Sequence, residues 1–342
     1  MLDHLKALRD KKVAFVVYKL PNSNEVKLFY QENDELHLTF DFSEAGFLMA
    51  PFADTDFYSF IPNTHQDSFT IVPEEFNSGK KVIHKEENKA LFIDLVHQAK
   101  QKLEQTELQK VVISRVINHK VPDKNPLQTF QNLLKLYSDA FVYLWHHPQT
   151  GSWMGATPER FINLNKGILK TTALAGTTQL EEGKKAEWTE KEIEEQQLVT
   201  DDIKSSLIQM LPELKIDVGT LKSTRAGALW HLKTNLETKH PHLKLLNVVK
   251  ALHPTPAVGG VPKDLSIKFI NKNEGYNRKF YTGFLGPFGA NKQADLFVNL
   301  RCAEFTPSGY NVYVGAGITS KSNPESEWQE TQRKANTFCK AL

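Results

Sequence analysis

A stretch near the end of the chain, DLFVNLRCAEFTPSGYNVYVGAGI (295–318), decides the fold class. Two β-type runs, DLFVNLRCAEF (295–305) and YNVYVGAGI (310–318), flank the turn TPSG (306–309), and this order predicts an antiparallel hairpin. Earlier strand candidates are interleaved with amphipathic helices: KVVISRVI (110–117), AFVYLWHH (140–147), SWMGAT (152–157), RFINLN (160–165) and ILKTTAL (168–174). Strands interleaved irregularly with helices favour an α+β fold over a doubly wound parallel sheet.

Length and composition bound the class of protein. The chain has 342 residues with 42 basic and 40 acidic side chains, enough for one large or two ordinary domains. Near neutrality provides no strong basic field, so we expect no nucleic-acid partner. The apolar run VAFVVY (13–18) is too short for a signal segment or a membrane span, and two cysteines, Cys302 and Cys339, give no disulfide framework. We therefore expect a cytoplasmic protein without a membrane partner.

The segment SNPESEWQETQRKA (322–335) predicts a helix with an acidic face. Asn323 and Pro324 form a helix start signal, since Asn accepts the first free amides and Pro is tolerated at the first helical position. Spacings of three and four place Glu327, Glu330 and Lys334 on one face. The adjoining face carries the packing positions Trp328, Thr331, Ala335 and Phe338. By itself this pattern leaves a surface salt-bridge pair open as an alternative.

A second predicted helix, AEWTEKEIEEQQLVTDDIKSSLIQML (186–211), also carries paired glutamates. Glu195 lies one turn before the apolar stripe that begins at Val199, and Glu192 projects on the same face, whereas Glu194 points away. A carboxylate beside a buried stripe is costly unless it is paired, protonated or bound to a metal. Hard oxygen ligands of this kind suit Mg²⁺. Two unrelated solvated faces remain the alternative on spacing alone.

Separated motifs occur along the chain in a fixed order: KVVISR (110–115), GATPERF (155–161), LAGT (174–177), EIEEQQLV (192–199), LWHL (229–232), LHPTPAVGGVPK (252–263), NLRCAEF (299–305), VGAGI (314–318) and ESEWQET (325–331). On these motifs the chain resembles the chorismate-utilising enzymes, which include isochorismate synthases, salicylate synthases and the large subunits of anthranilate and aminodeoxychorismate synthases. The resemblance covers residues 90–340, and residues 1–80 match poorly. It implies one chorismate-binding domain over 1–342, with two-lobed layered sheets, helices outside and the active site between.

The resemblance also implies a set of site residues. Glu195 and Glu330 would bind Mg²⁺ directly, and Glu192 and Glu327 would hold its waters. Lys110 would act as general base toward water, and the carboxyl group Glu159 would protonate the leaving 4-hydroxyl, each through a perturbed pKa. The implied contacts to the substrate are Thr177, His231, Tyr281, Arg301, Gly315, Ala316, Gly317 and Lys334. A satisfied core histidine remains the alternative for His231.

Three positions bear on which member of the family the chain resembles. Relatives that attack with ammonia typically have glutamine where this chain has Lys110, so the lysine favours water as nucleophile. Ala175 stands where some aminodeoxychorismate synthases place a nucleophilic lysine. Salicylate synthases usually carry threonine near Ala257, whereas the loop HPTPAVGG (253–260) is similar to that of isochorismate synthases. We therefore expect a Mg²⁺-dependent isomerase that forms isochorismate from chorismate by water attack at C2 and loss of the C4 hydroxyl.

Three other functions stay open at the level of sequence. A salicylate synthase would share the first step, an ammonia-using lyase subunit would need a glutaminase partner, and a silent chorismate-binding module would need no chemistry. Lys110 argues against an ammonia-using subunit. The presence of every acid, base and metal position argues against a silent binding module. We expect no glutaminase partner. The motifs do not separate menaquinone from siderophore supply, although a short chain without an appended carrier or lyase module favours menaquinone.

Overall fold

The computed structural model of the protein describes residues 1–53, 55–72, 87–120, 125–179, 186–226, 229–289 and 293–342, without the side chains of Thr177, Gln179, Ala226 and Leu229. Helices and strands follow one another irregularly along these ranges. The helices are α1 (Leu2–Asp10), α2 (Lys89–Gln105), α3 (Pro126–Leu136), α4 (Glu190–Met210), α5 (Leu245–Leu252), α6 (Lys263–Asn273) and α7 (Pro324–Cys339). None of the helices in these ranges is long and apolar enough to span a membrane.

The strands form two large antiparallel sheets. In chain order they are β1 (Phe15–Lys19), β2 (Glu25–Tyr30), β3 (His37–Thr39), β4 (Ala45–Ala50), β5 (Tyr58–Pro62), β6 (His65–Thr70), β7 (Lys110–Lys120), β8 (Phe141–His147), β9 (Gly151–Thr157), β10 (Arg160–Asn165), β11 (Ile168–Gln179), β12 (Ile216–Val218), β13 (Lys222–Ala226), β14 (Leu229–Lys239), β15 (Gly260–Val261), β16 (Phe284–Gly289), β17 (Gln293–Val298), β18 (Cys302–Thr306) and β19 (Gly309–Ile318). Within the described residues, the first sheet has the order β15-β7-β19-β18-β9-β8-β1-β2-β6. The second has the order β12-β14-β11-β10-β17-β16-β4-β5-β3, and β13 pairs with β14.

The predicted hairpin is present, but its first strand is divided. Thr306 of β18 lies opposite Gly309 of β19, as the turn signal predicted. The run 295–305, which reads as one strand, instead supplies β17 to the second sheet and β18 to the first. Residues 299–301 cross between the sheets, and Arg301 has a φ of 50°, in the left-handed region. An alternating apolar pattern predicts extended backbone but does not reveal a change of sheet, so the sequence could not show this break.

The sheets and helices are held in layers by the apolar faces that they bury against one another. On the outer face of the second sheet, α4 and α5 bury Val199, Ile203 and Val248. On the outer face of the first sheet, α1, α3 and the end of α7 bury residues such as Leu5 and Phe130. Between the sheets lies an aromatic core that includes Tyr18, Phe47, Phe141, Trp145 and Trp153. The predicted α+β fold, with layered sheets and helices outside, is confirmed.

Helix α7 begins at the predicted signal. The Asn323 side chain accepts a hydrogen bond from the Ser326 amide at 3.0 Å, with Pro324 in the first turn, so the expected start of α7 is confirmed. The body of α7 packs through Trp328, and the Arg115 guanidinium lies 4.0 Å from the centroid of that ring. This contact fixes α7 against β7 and therefore fixes where its glutamates lie.

The N-terminal part of the chain contributes to both sheets. Strands β1, β2 and β6 belong to the first sheet, and β3, β4 and β5 belong to the second. Because neither sheet is complete without these strands, we propose that residues 1–342 form a single domain.

Candidate active site

A cavity of about 720 Å³, including its open mouth, is lined by residues of both sheets. Its walls come from β7, β11, β14 and β19, from the crossing segment 299–301 and from the helices α4 and α7. Many of the predicted site residues line it: Glu159, Glu195, His231, Tyr281, Arg301, Gly315, Gly317, Glu330 and Lys334. Side chains separated by well over one hundred positions in the sequence thus meet in one place.

Lys110 is not among the lining residues, but it forms an ion pair with Glu195, which is one of them. It is the first residue of β7 and only 1% exposed, and its Nζ lies 2.9 Å from Glu195 Oε1. The pair fits because Gly317 has no side chain: a Cβ there would lie 2.6 Å from Glu195 Oε1 and 3.2 Å from Lys110 Cε. The proposed base and a proposed metal ligand are therefore in direct contact.

Glu330 and Lys334 form a second ion pair one turn apart on α7. Lys334 Nζ lies 2.5 Å from Glu330 Oε1 and also donates to the carbonyl oxygen of Gly315 at 3.0 Å. Burial raises the pKa of Glu330, but the positive charge of Lys334 outweighs burial and the net pKa lies below its ordinary value. Glu330 is therefore a carboxylate, and Lys334 is held over the end of β19.

Glu327 is the most deeply buried of the four glutamates. It is 1% exposed, and Lys191 of α4 donates to its Oε1 at 2.6 Å. Its Oε2 makes no hydrogen bond to the described residues, although the Ser322 hydroxyl lies nearby. Burial and the charge of Glu330 raise the pKa of Glu327, against the opposing charge of Lys191. One buried oxygen of this side chain thus has room for a further donor.

Glu192 has a structural partner of its own. Its carboxylate accepts hydrogen bonds from the Thr189 hydroxyl and, at 2.9 Å, from the Thr189 amide, which completes a capping box at the start of α4. Its Cβ packs over Gly176, where an added Cβ would lie 3.0 Å away. In this position the carboxylate stabilises the helix start, and the expected role in holding a metal-bound water stays a prediction.

The carboxylates fit the ligand preference of Mg²⁺. Glu195 and Glu330 line the same cavity from two helices, and Glu327 adds a buried oxygen without a hydrogen bond to the described residues. No group of three or more His, Cys, Asp or Glu side chains is arranged as a metal site within the described residues. Each of these glutamates is instead held by a lysine. A divalent cation bound by Glu195 and Glu330 would therefore compete with Lys110 and Lys334 for these carboxylates.

Glu159 lies at the turn between β9 and β10 and is 5% exposed. Burial raises its pKa to about 7, against the opposing positive charges of Lys110, Arg301 and Lys334. Its backbone is fixed on both sides, because its carbonyl accepts from the Val298 amide at 2.9 Å and its amide donates to the Thr157 hydroxyl at 3.3 Å. A carboxyl group with this pKa is protonated in a large fraction of molecules near neutrality and can donate a proton.

Arg301 reaches the cavity from the crossing segment. Arg301 has a left-handed backbone, and Asn299 at the start of the same segment accepts from the Tyr143 hydroxyl at 2.6 Å and donates to the Phe280 carbonyl at 2.8 Å. Burial lowers the pKa of Arg301, while Tyr281 and the carboxylates oppose this, and a guanidinium keeps its charge at ordinary pH. The break in the predicted strand therefore delivers a fixed positive charge into the cavity.

Tyr281 and His231 also line the cavity. The Tyr281 ring stacks on Tyr313 with centroids 5.3 Å apart, and a Cβ at Gly315 would lie 3.0 Å from its hydroxyl. His231 Nδ1 lies 3.2 Å from the Gly176 carbonyl, so Nδ1 carries the proton and donates. Burial lowers the pKa of His231 to about 3, which keeps the ring neutral. Thr177 lies opposite His231 in the sheet, but its side chain lies outside the described residues.

The glycine-rich end of β19 offers two backbone amides. Ser114 and Val112 of β7, opposite Gly315 and Gly317, donate their own amides to groups on the far side of β7. Residues paired without mutual hydrogen bonds turn their amides away from each other, so Gly315 and Gly317 direct theirs away from β7. Ala316 alternates with them and directs its amide toward β7. Of the three predicted amides, two are thus free of the β7 ladder.

Sequence reasoning missed three charged residues around the site. Lys191 joins the two acidic helices, as described above. Arg278 and Glu274 form a buried ion pair at 2.5 Å, and Arg278 also donates to the carbonyls of Val112 at 2.7 Å and Val258 at 2.9 Å. This pair fastens β7 to the loop that lines the cavity. The spacing of four between Glu274 and Arg278 was the available signal.

The chain is similar to known proteins. A family model described as "Chorismate binding enzyme" matches residues 57–342. The salicylate biosynthesis isochorismate synthase of Pseudomonas aeruginosa is 31% identical over 245 residues, which cover 68% of this chain and 50% of that protein. The isochorismate synthase MenF of Haemophilus influenzae is 29% identical over 259 residues, which cover 72% of this chain and 59% of that protein. This chain therefore spans little more than half the length of these relatives.

A solved structure shows the same fold. The menaquinone-specific isochorismate synthase MenF of Escherichia coli matches with a TM-score of 0.78 at 20% sequence identity, over 97% of this chain and 89% of that one. At this identity the likeness concerns the arrangement of strands and helices.

Proposed function

Because the chain belongs to the family of chorismate-binding enzymes, we propose that it is a Mg²⁺-dependent isochorismate synthase, an isomerase that converts chorismate to isochorismate. One observation carries the proposal: a buried lysine and a glutamate with a pKa of about 7 adjoin one cavity, beside paired carboxylates and a fixed arginine. That combination supplies a base, an acid, a cation site and an anion site.

The reaction adds a hydroxyl at C2 and removes one at C4. Lys110 Nζ, once it has left Glu195 and given its own proton to solvent, takes a proton from the attacking water, whose oxygen bonds to C2 as the ring double bonds shift. Glu159 donates its proton to the departing C4 oxygen, which leaves as water. Return of a proton from Lys110 to Glu159 through solvent restores both groups, so atoms and charge balance.

The cavity also supports binding of a dianion. Arg301, Lys334 and the amides of Gly315 and Gly317 provide donors for carboxylates. Bound Mg²⁺, held by Glu195 and Glu330, would neutralise the ring carboxylate and orient the ring. The neutral ring of His231 and the Tyr281 ring would then line the face of the substrate without adding charge.

Water is the proposed nucleophile, since Lys110 occupies the position of the base. We therefore propose that the protein works without a glutaminase partner, in the cytoplasm, with chorismate as its small-molecule substrate. The similarity extends to relatives named for menaquinone and for salicylate biosynthesis.

An assay of products tests the proposal. Purified protein is incubated with chorismate and Mg²⁺, with and without ammonium, and products are separated by chromatography and identified by mass. Isochorismate as the sole product, lost in excess chelator and restored by Mg²⁺, is the expected result. Salicylate with pyruvate would assign the chain to salicylate synthases, and an amino product with ammonium would overturn water as the nucleophile. No conversion would indicate a silent binding module.

A further inference from the structure

Lys191 joins the two acidic helices at their closest charged contact. It is the second residue of α4, and its ammonium group donates to Glu327 Oε1 on α7 at 2.6 Å. Lys191 is 22% exposed and Glu327 only 1%, so the pair lies at the boundary between the solvent and the protein interior. Neither the family motifs nor the proposed reaction gives this lysine a role.

The ammonium of Lys191 acts on more than one carboxylate. Burial lowers the pKa of Lys191, but the charges of Glu327, Glu195 and Glu330 outweigh burial and raise it above its ordinary value. Lys191 is therefore protonated, and its positive charge interacts with all three glutamates around the proposed metal position. Lys110 and Lys334 each contact one of those carboxylates, whereas Lys191 stands between the helices that carry them.

We propose that Lys191 is a built-in counter-cation of the divalent-cation site, which stabilises the acidic cluster when no metal is bound and weakens its affinity for the metal. The inference rests on the proposed function, because it takes Glu195 and Glu330 as metal ligands. It adds a residue that sets how tightly the metal binds, and hence at what Mg²⁺ concentration the site fills.

Two physical effects both predict that Lys191 weakens the binding of a divalent cation. Without Lys191, Glu327 would be a buried carboxylate without its ion-pair partner, and a divalent cation would then relieve an unfavourable charge. With Lys191, an incoming divalent cation meets a like charge within the same cluster, and short-range repulsion of this kind in a water-like dielectric corresponds to roughly tenfold weaker binding. Removal of the ammonium should therefore strengthen metal binding.

The test measures metal binding directly, without chorismate. Mn²⁺ is titrated into wild type and Lys191→Met, with free Mn²⁺ followed by electron paramagnetic resonance, and Mg²⁺ is measured by competition. We expect Lys191→Met to bind Mn²⁺ about tenfold more tightly. Lys191→Arg, which keeps the charge, should bind within about twofold of wild type.

Lys321→Met is the matched control. Lys321 also bridges toward α4, with Nζ 2.7 Å from Glu194 Oε1, but on the exposed side of the helix. If Lys191→Met acts by loosening the helices and not by removing a cation from the site, both variants should change Mn²⁺ affinity alike. Equal effects, or unchanged or weaker Mn²⁺ binding in Lys191→Met, would overturn the proposal.

A second pair of variants tests the proposal if Lys191→Met alone folds poorly. Glu327→Gln removes the buried charge, so Lys191→Met combined with Glu327→Gln should fold, and it should still bind Mn²⁺ more tightly than Glu327→Gln alone. Equal affinity of these two proteins would contradict the inference. Because no turnover is measured, failure here is distinct from failure of the proposed isomerase activity, which the product assay decides. Absence of Mn²⁺ binding in every variant would overturn both the counter-cation and its site.

Discussion

Lys110 and Glu195, eighty-five positions apart in the chain, form an ion pair of 2.9 Å within the space left by the missing side chain of Gly317. The atom proposed as the base, Lys110 Nζ, is thus held by a carboxylate that is also a proposed metal ligand. Transfer of the Glu195 carboxylate to a divalent cation would leave the lysine without its counter-ion. Metal binding and the readiness of the base are thus linked through one contact.

Replacement of Lys110 should abolish turnover while leaving the fold intact. In Lys110→Ala the attacking water loses its base, and the expected drop in kcat is about 10² to 10⁴-fold. Steady-state kinetics with chorismate and Mg²⁺ measures this. Lys120→Ala, at the exposed far end of the same strand, is the control and should keep wild-type activity. Turnover of Lys110→Ala within a few fold of wild type would remove the lysine from its assigned role.

Glu159→Gln should lose the proton donor. We expect a kcat decrease of about 10² to 10⁴-fold, because the amide cannot protonate the leaving oxygen. In wild type, the fraction of protonated Glu159 falls as pH rises through about 7, so the rate of a step that needs this proton should fall over the same range. A pH–rate profile checks this, and a flat profile from pH 6 to 8 would contradict the assignment.

The same carboxyl group predicts a pH dependence of stability. Its pKa is raised from 4.5 to about 7 on folding, so the folded state binds the proton more tightly than the unfolded state. The stabilisation is present below the unfolded pKa and is lost as pH rises to about 7. Glu159→Gln should therefore gain up to ~3 kcal/mol in free energy of unfolding relative to wild type between pH 4.5 and pH 8. Urea unfolding of both proteins at pH 5 and pH 8 measures the difference, and an equal offset at both pH values would argue against it.

Gly317→Ala should damage the site more than the fold. The new methyl group would lie 2.6 Å from Glu195 Oε1 and 3.2 Å from Lys110 Cε, so the ends of both side chains must shift from their present positions. We expect a loss of kcat of about tenfold or more, because a small displacement of catalytic groups has large kinetic effects. Gly289→Ala is the matched control, since a Cβ there has nothing within 4 Å. Equal activity of the two variants would show that the close packing at Gly317 is unimportant.

The buried pair Arg278–Glu274 should contribute strongly to the stability of the site wall. Arg278→Met leaves Glu274 as a buried carboxylate and removes the donors to Val112 and Val258, so we expect a loss of about 3–5 kcal/mol in free energy of unfolding. Lys279→Met is the neighbouring control. Lys279 pairs with Glu304 at 2.6 Å but is 52% exposed, and its loss should cost less than about 1 kcal/mol. Denaturant unfolding that gives similar values for both would contradict the distinction.

Local features were the part most readily predicted from the sequence. The start of α7 at Asn323, the hairpin turn at 306–309 and the helical spacing of Glu327 and Glu330 depend on neighbours in the chain, and all are present. By contrast, the pairing of Glu327 with Lys191 joins residues 136 positions apart and has no local signature. Glu192 shows that a local pattern can have two interpretations. The same sequence predicts an acidic helical face and permits a capping box, and the structure has the capping box.

What the sequence determined by itself was much of the order of helices and strands after residue 90, the helical spacing that groups the glutamates, and the motifs that place the chain among the chorismate-binding enzymes. Only the tertiary structure decided which lysine holds which glutamate, that residues 299–301 leave one sheet for the other with Arg301 in a left-handed conformation, and that Gly315 and Gly317 direct their amides away from β7. The physical reason is the separation along the chain of the residues that interact. Side-chain periodicity and capping arise within a few residues, whereas ion pairing and burial depend on surfaces that meet only when the two sheets and their helices pack together.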